Sequence, residues 1–150
     1  MRCWQGEQRA PSAKLMCMLM VYQEEHLTEF VDKLVPALQA CLTLEDDTKR
    51  VVAAGAAQCA RLLAWHVPAR AYLPLLLPLM ANDSLSSTAT RVGAVRLLCE
   101  CVGGMDAHVR ARSLPAILDA ACAAGVAATT DSKLRAALGT LLDECTRAGR

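Results

Sequence analysis

Three apolar segments that carry a proline at the same place constrain this chain more than any other feature. Val35-Pro36-Ala37-Leu38, Leu73-Pro74-Leu75-Leu76 and Leu114-Pro115-Ala116-Ile117 recur 38 and then 41 residues apart. Each is followed by a second segment with a leucine pair: Leu62-Leu63, Leu97-Leu98 and Leu141-Leu142. Between the two segments of each unit lies an acid (Asp47, Asp83, Asp131), with an arginine soon after it (Arg50, Arg91, Arg135). Self-similarity at a period near 40 residues marks a repeat array, in which one unit cannot bury its apolar face without its neighbours.

The local pattern is helical. Leu27, Phe30, Val31, Leu34, Val35, Leu38, Cys41 and Leu42 fall at three- and four-residue steps, which puts them on one stripe of a helix. Glu29, Asp32, Lys33 and Gln39 are expected to face water. Asp47 or Thr48 is expected to cap a second helix with Val51, Gly55, Cys59, Leu62 and Leu63 inward, and Pro68 ends it. Further helices are predicted near 13–23 (capped by Ser12 and well buried, though residues 15–21 are the likeliest exposed patch if upstream repeats are missing), 69–81, 87–102, 106–124 and 132–147. Pro78 should kink or shorten the 69–81 helix, and Gly103-Gly104 should stop the next. That next helix is expected to bury Val92, Val95, Leu98, Cys99 and Val102. The one capped by Asp106 should bury Val109, Leu114, Ile117, Leu118 and Ala121, with a turn over 125–130. The last, capped by Thr130 or Asp131, should bury Leu134, Ala137, Leu138, Leu141, Leu142 and Cys145.

Composition agrees with an all-α class. The chain is 54% hydrophobic yet has one Phe, two Tyr and two Trp, so Leu, Ala, Val, Cys and Met must build the core. Ala and Leu are strong helix formers, small Ala lets helices approach closely, and no period-two strand pattern occurs. The eight cysteines include no CxxC, and most sit in helical apolar patterns. Reduced core thiols in a reducing compartment are therefore expected rather than a disulfide framework. No apolar run is long enough for a membrane span, the longest being interrupted by Pro74 and Pro78. Net charge is +1, but residues 24–47 carry −6 and residues 48–150 carry +5, an asymmetry that can steer a charged protein partner. No basic run is interleaved with aromatics, which argues against nucleic acid.

A prolyl first helix, an acidic turn and a second helix with an early basic residue resemble the HEAT repeat over about residues 24–147. The resemblance implies an α-solenoid (superhelix) of antiparallel helix pairs, with second helices lining the concave side. The units would be 24–67, 68–104 and 105–150, and residues 13–23 would be the second helix of a preceding, truncated unit. The stretch from Glu24 to Asn82 is similar to the branch of the family that acts in cytoplasmic pre-assembly of axonemal dynein arms. That similarity implies a fragment of a longer scaffold whose partners are dynein subunits, chaperones or other assembly factors, with no membrane, nucleic acid or small-molecule substrate. An adaptor in nuclear transport or chromatin organisation shares the architecture and stands as the alternative.

Convergent reactive groups are not evident. His26, His66 and His108 are scattered, and no Gly-rich phosphate loop occurs. Cys99-x-Cys101 beside His108 is the best metal candidate, but residues two apart on a helix point about 200° apart. Cys99 is expected in the core and Cys101 at a surface or flank position. We therefore expect no catalytic residues, cofactor or metal. Arg50, Arg91 and Arg135 are the candidate partner-binding residues: stacking would bring them into a row of cations. Their other role would be hydrogen bonding to the turn acids, as register staples.

Overall fold

Helix formation follows the apolar periodicity in most of the described segments. The computed structural model describes residues 9–43, 50–81, 87–127 and 131–147. Seven α-helices occur among them: α1 (Arg9–Tyr22), α2 (Val31–Thr43), α3 (Arg50–His66), α4 (Ala69–Ala81), α5 (Thr88–Gly104), α6 (Ala107–Ala127) and α7 (Ser132–Arg147). A 3-10 segment, Glu24–Phe30, leads into α2, and no strand is present among the described residues. Two predicted caps form, at Asp106 and Asp131, and Ser87 supplies a third. Ser87 Oγ accepts from the Thr90 N–H at 3.3 Å, Asp106 Oδ1 from the His108 N–H at 2.8 Å, and Asp131 Oδ1 from the Lys133 and Leu134 N–H groups. Asp47, Thr48, Asp83 and Thr130 lie outside the described residues.

Several boundaries differ from the sequence reading. α1 begins at Arg9, so Ser12 lies inside it, and α6 runs through Gly125 to Ala127. Pro78 does not end its helix, which continues to Ala81. The reason is shared by Pro36, Pro74, Pro78 and Pro115, all within helices and all exposed. The carbonyls they leave without a helical donor belong to Asp32, Arg70, Pro74 and Ala111, which are exposed too, so water can serve them. Gly103-Gly104 also lies within α5, whose C-terminal N–H bond comes from Met105 to the Cys101 carbonyl.

The helices form two layers. In one, α1 packs on α3, α3 on α5 and α5 on α7; in the other, α2 packs on α4 and α4 on α6. The layers are joined by the pairs α2/α3, α4/α5 and α6/α7 and by α2 seated against α5. This antiparallel, pairwise stacking is a HEAT-like α-solenoid. The first layer repeats its contacts in register. Cys17 faces Gly55 and Gln58, Arg61 pairs with Glu100, Cys101 faces Ala60 and Cys99 faces Thr140, all across 38 to 41 residues. The sequence period is thus the step from one second helix to the next.

The core is continuous along the stack, from Met20 through Leu38, Leu63, Leu76 and Leu98 to Leu141. Small residues set its spacing. A Cβ on Gly93 would lie 2.8 Å from the Gln39 carbonyl oxygen, and one on Gly104 2.5 Å from that of Arg61. At these glycines α5 lies tightly against α2 and α3. On α3 the buried stripe is Val52, Ala56, Cys59, Ala60, Leu63 and Ala64. Val51, assigned inward from sequence, is exposed, because its neighbour Val52 takes the inward position on the stripe. Phe30, Val109, Leu118 and Leu142 are likewise partly exposed rather than core. Phe30 closes the 3-10 segment, whose tighter winding breaks the α-helical stripe to which sequence spacing assigned it.

Candidate partner-binding surface

The polar ties of the stack determine which charged groups remain for a partner. Gln39 is buried on α2, not solvated as its charged neighbours suggested, and its Nε2 donates to the Thr90 carbonyl at 2.9 Å. That bond serves a carbonyl in the first turn of α5. Arg96 Nη1 donates to the Leu42 carbonyl at 3.0 Å, and Arg91 Nε to the Met80 carbonyl at 3.1 Å. Both guanidinium groups thus sit at the C-terminal ends of helices in the other layer, where orphan carbonyls and the helix dipole favour a cation.

The three arginines singled out by sequence therefore have different settings. Arg50 opens α3 and is exposed, as is Arg135 on α7. Arg91 is only 5% exposed and holds α4 to α5 through the Met80 carbonyl. Arg61, not singled out, is exposed on α3 and bridges to Glu100 on α5 at 2.8 Å. Its signal in the sequence was the 39-residue separation from an acid, close to the repeat period.

Two open grooves follow the first layer. One, about 320 Å³, lies between α5 and α7 and is lined by Arg96, Cys99, Glu100, Lys133, Ala136 and Thr140. The other, about 730 Å³, runs beside α1 and the 3-10 segment, where Cys17, Met18, Val21 and Tyr22 meet Glu24, Glu25 and His26. His66 at the end of α3 reaches Glu24 at 3.3 Å, which ties this edge to the next helix. The sequence reading expected α1 to be well buried, with residues 15–21 the likeliest patch to be exposed. Leu15, Met18, Leu19, Val21 and Tyr22 are exposed, Tyr22 at 85%, and Met20 alone among its described side chains is fully buried. One face of α1 meets α3 and the 3-10 segment.

The thiols are set apart by their neighbours. Cys99 and Cys101 do point to different sides of α5, toward the Thr140 and Ala60 carbonyls, but their roles are reversed from the sequence reading. Cys101 is fully buried against α3, while Cys99 is half-buried along the groove facing α7. Burial, then Glu100 and Glu144, raises the Cys99 thiol to about 11. Burial pushes Cys101 and Cys59 higher still, so both stay protonated thiols. Cys122, placed in an apolar pattern by spacing, is exposed on α6. Among the described residues no group of three or more His, Cys, Asp or Glu is placed to hold a metal ion. Nor is any described helix long and apolar enough to cross a membrane.

Comparison with curated proteins and with solved structures returned no match. A family profile, described as the HEAT-repeat domain of dynein axonemal assembly factor 5, matches residues 1–147. With two stacked helix layers, contacts in register at the sequence period and a match along nearly its whole length, the chain belongs to that HEAT-repeat family.

Proposed function

We propose that this chain is a non-catalytic scaffold that holds protein partners during cytoplasmic pre-assembly of axonemal dynein arms. The observation that carries the reading is the family match over residues 1–147. The fold suits such a role: its charged groups and grooves are spread along a layer of stacked helices instead of converging on one pocket. Dynein subunits, chaperones and other assembly factors are the partners this reading names. The helix pairing supports dividing the chain into units 24–67, 68–104 and 105–150, with residues 13–23 as the second helix of another unit.

Binding runs along the layer of α1, α3, α5 and α7. Arg50 and Arg135 are its candidate contacts, since both are exposed near helix starts in that layer, while Arg91 serves as a register staple at the end of α4. Exposed cations contribute mainly to association rate and salt dependence. The test is binding of purified axonemal dynein subunits to the immobilised chain, with Arg50→Glu/Arg135→Glu compared against wild type. The double variant should keep its helix content and associate at least several-fold more slowly at low salt. Equal association rates would remove these arginines from the surface. Binding of import cargo or chromatin components in place of dynein subunits would replace the assembly reading by the adaptor one.

A further inference from the structure

The first interface of the row holds two thiols face to face. Cys17 on α1 and Cys59 on α3 place their Sγ atoms 3.2 Å apart, roughly 1 Å beyond the length of a disulfide bond. Further along the row Cys101 and Cys99 turn their thiols to the Ala60 and Thr140 carbonyls instead. The two sulfurs of the first interface also differ in access. Cys17 lines the open groove of about 730 Å³ beside α1. Cys59 lies behind it, 2% exposed, and burial holds its thiol well above the ordinary range.

We propose that Cys17 and Cys59 are a redox pair, which a small disulfide such as oxidised glutathione converts into a cystine that fastens α1 to α3. Access dictates the order of events. The Cys17 thiol loses its proton and attacks one sulfur of oxidised glutathione from the groove. The glutathione S–S bond breaks, and one glutathione thiolate leaves and takes up a proton. Cys59 then gives up its proton and attacks the Cys17 Sγ, which expels the second glutathione. Two protein thiols are oxidised and one glutathione disulfide is reduced to two thiols. The high thiol pKa of Cys59 slows the second step, so the mixed disulfide on Cys17 should be observable before the cross-link. The bond would close a loop between residues 42 apart and tie down the helix at the edge of the layer.

The reduced full chain is incubated with oxidised glutathione under native conditions, alkylated, digested with trypsin without reduction, and mapped by mass spectrometry. Wild type should give a transient glutathione adduct on Cys17, then a cross-link between tryptic peptides 15–33 and 51–61. Its Tm should rise by roughly 10 °C on oxidation, from the loop-entropy gain and the size of the chain. Cys59→Ser should stop at the Cys17 adduct, and Cys17→Ser should give neither product and no rise in Tm. Cys59→Ala, which leaves no polar group at the buried position, repeats the trapping arm if the serine variant does not fold. Cys17 linked to any other cysteine, a wild-type adduct that never resolves, or a cross-link with no gain in Tm would each overturn the proposal.

Discussion

The spacing of the first layer can be tested at Gly104. A Cβ there would sit 2.5 Å from the Arg61 carbonyl oxygen and 2.6 Å from the Arg61 Cα, inside the 3.0 Å limit that real Cβ contacts respect. Both atoms are main chain, so no rotamer change relieves the clash, and α3 and α5 must move apart. That movement also stretches the Arg61–Glu100 pair and the Cys101–Ala60 contact. Gly104→Ala therefore sets two effects against each other. Overpacking a close helix contact costs about 1–3 kcal/mol. Alanine's better helix propensity returns up to about 1 kcal/mol, less at the last residue of a helix. The net is a loss of about 1–2 kcal/mol. Gly139 provides the opposite sign, because a Cβ on it meets nothing within 4 Å in the middle of α7. Gly139→Ala should stabilise by about 0.5–1 kcal/mol. The two variants should thus differ by about 2–3 kcal/mol, or roughly 5–10 °C in Tm for a chain of this size. Urea unfolding followed by far-UV circular dichroism, with the slope held common, measures both. If Gly104→Ala is as stable as wild type while Gly139→Ala shows its gain, the close approach of α3 and α5 is wrong.

Other outcomes follow from the buried polar groups. Gln39→Ala removes the donor to the Thr90 carbonyl and should cost about 1–3 kcal/mol in urea melts; a change within error would show that Gln39 is solvated after all. The Tyr72 hydroxyl is buried and has no hydrogen-bond partner among the described residues, so Tyr72→Phe should be neutral or stabilise by about 1 kcal/mol. A clear loss of stability would show that the hydroxyl is satisfied. Cys99 is raised from its ordinary value of 9.0 to about 11, so its contribution is fully present below 9.0 and is lost as pH rises toward about 11. Unfolding midpoints should hold steady up to about pH 9 and then fall, and Cys99→Ala should lessen the fall; an identical decline in that variant would exclude the thiol as its source.

Helix class, approximate boundaries, two of the caps and the repeat period were all legible in the sequence. Each rests on neighbours within a few residues, or on the spacing of like segments. Asp106 and Asp131 stand where a helix must begin, and the 38- and 41-residue steps between prolyl segments match the steps between stacked helices. The candidate surface was less legible. Arg50, Arg91 and Arg135 occupy similar places in their units, yet one of them is buried at the end of α4.

What decided that difference lies far away in sequence. A helix stripe read from periodicity is uncertain by one residue in either direction, and only the opposing helix selects the residues that go inside. Gln39 is buried because Thr90, 51 residues on, presents a carbonyl to it, and Arg96 is engaged because the last turn of α2, with the Leu42 carbonyl, lies beside it. Cys99 and Cys101 exchanged their expected places because α3 approaches α5 closely enough to cover one and α7 leaves the other beside a groove. Cys17 and Cys59 met for the same reason: their 42-residue separation is close to the stacking period, and a packed interface turned that number into a distance of 3.2 Å. The sequence by itself determined that the helices would stack and at what period. Which side of each helix meets its neighbour was decided by the tertiary structure, because burial depends on the shape and small residues of the partner surface and not on the stripe alone.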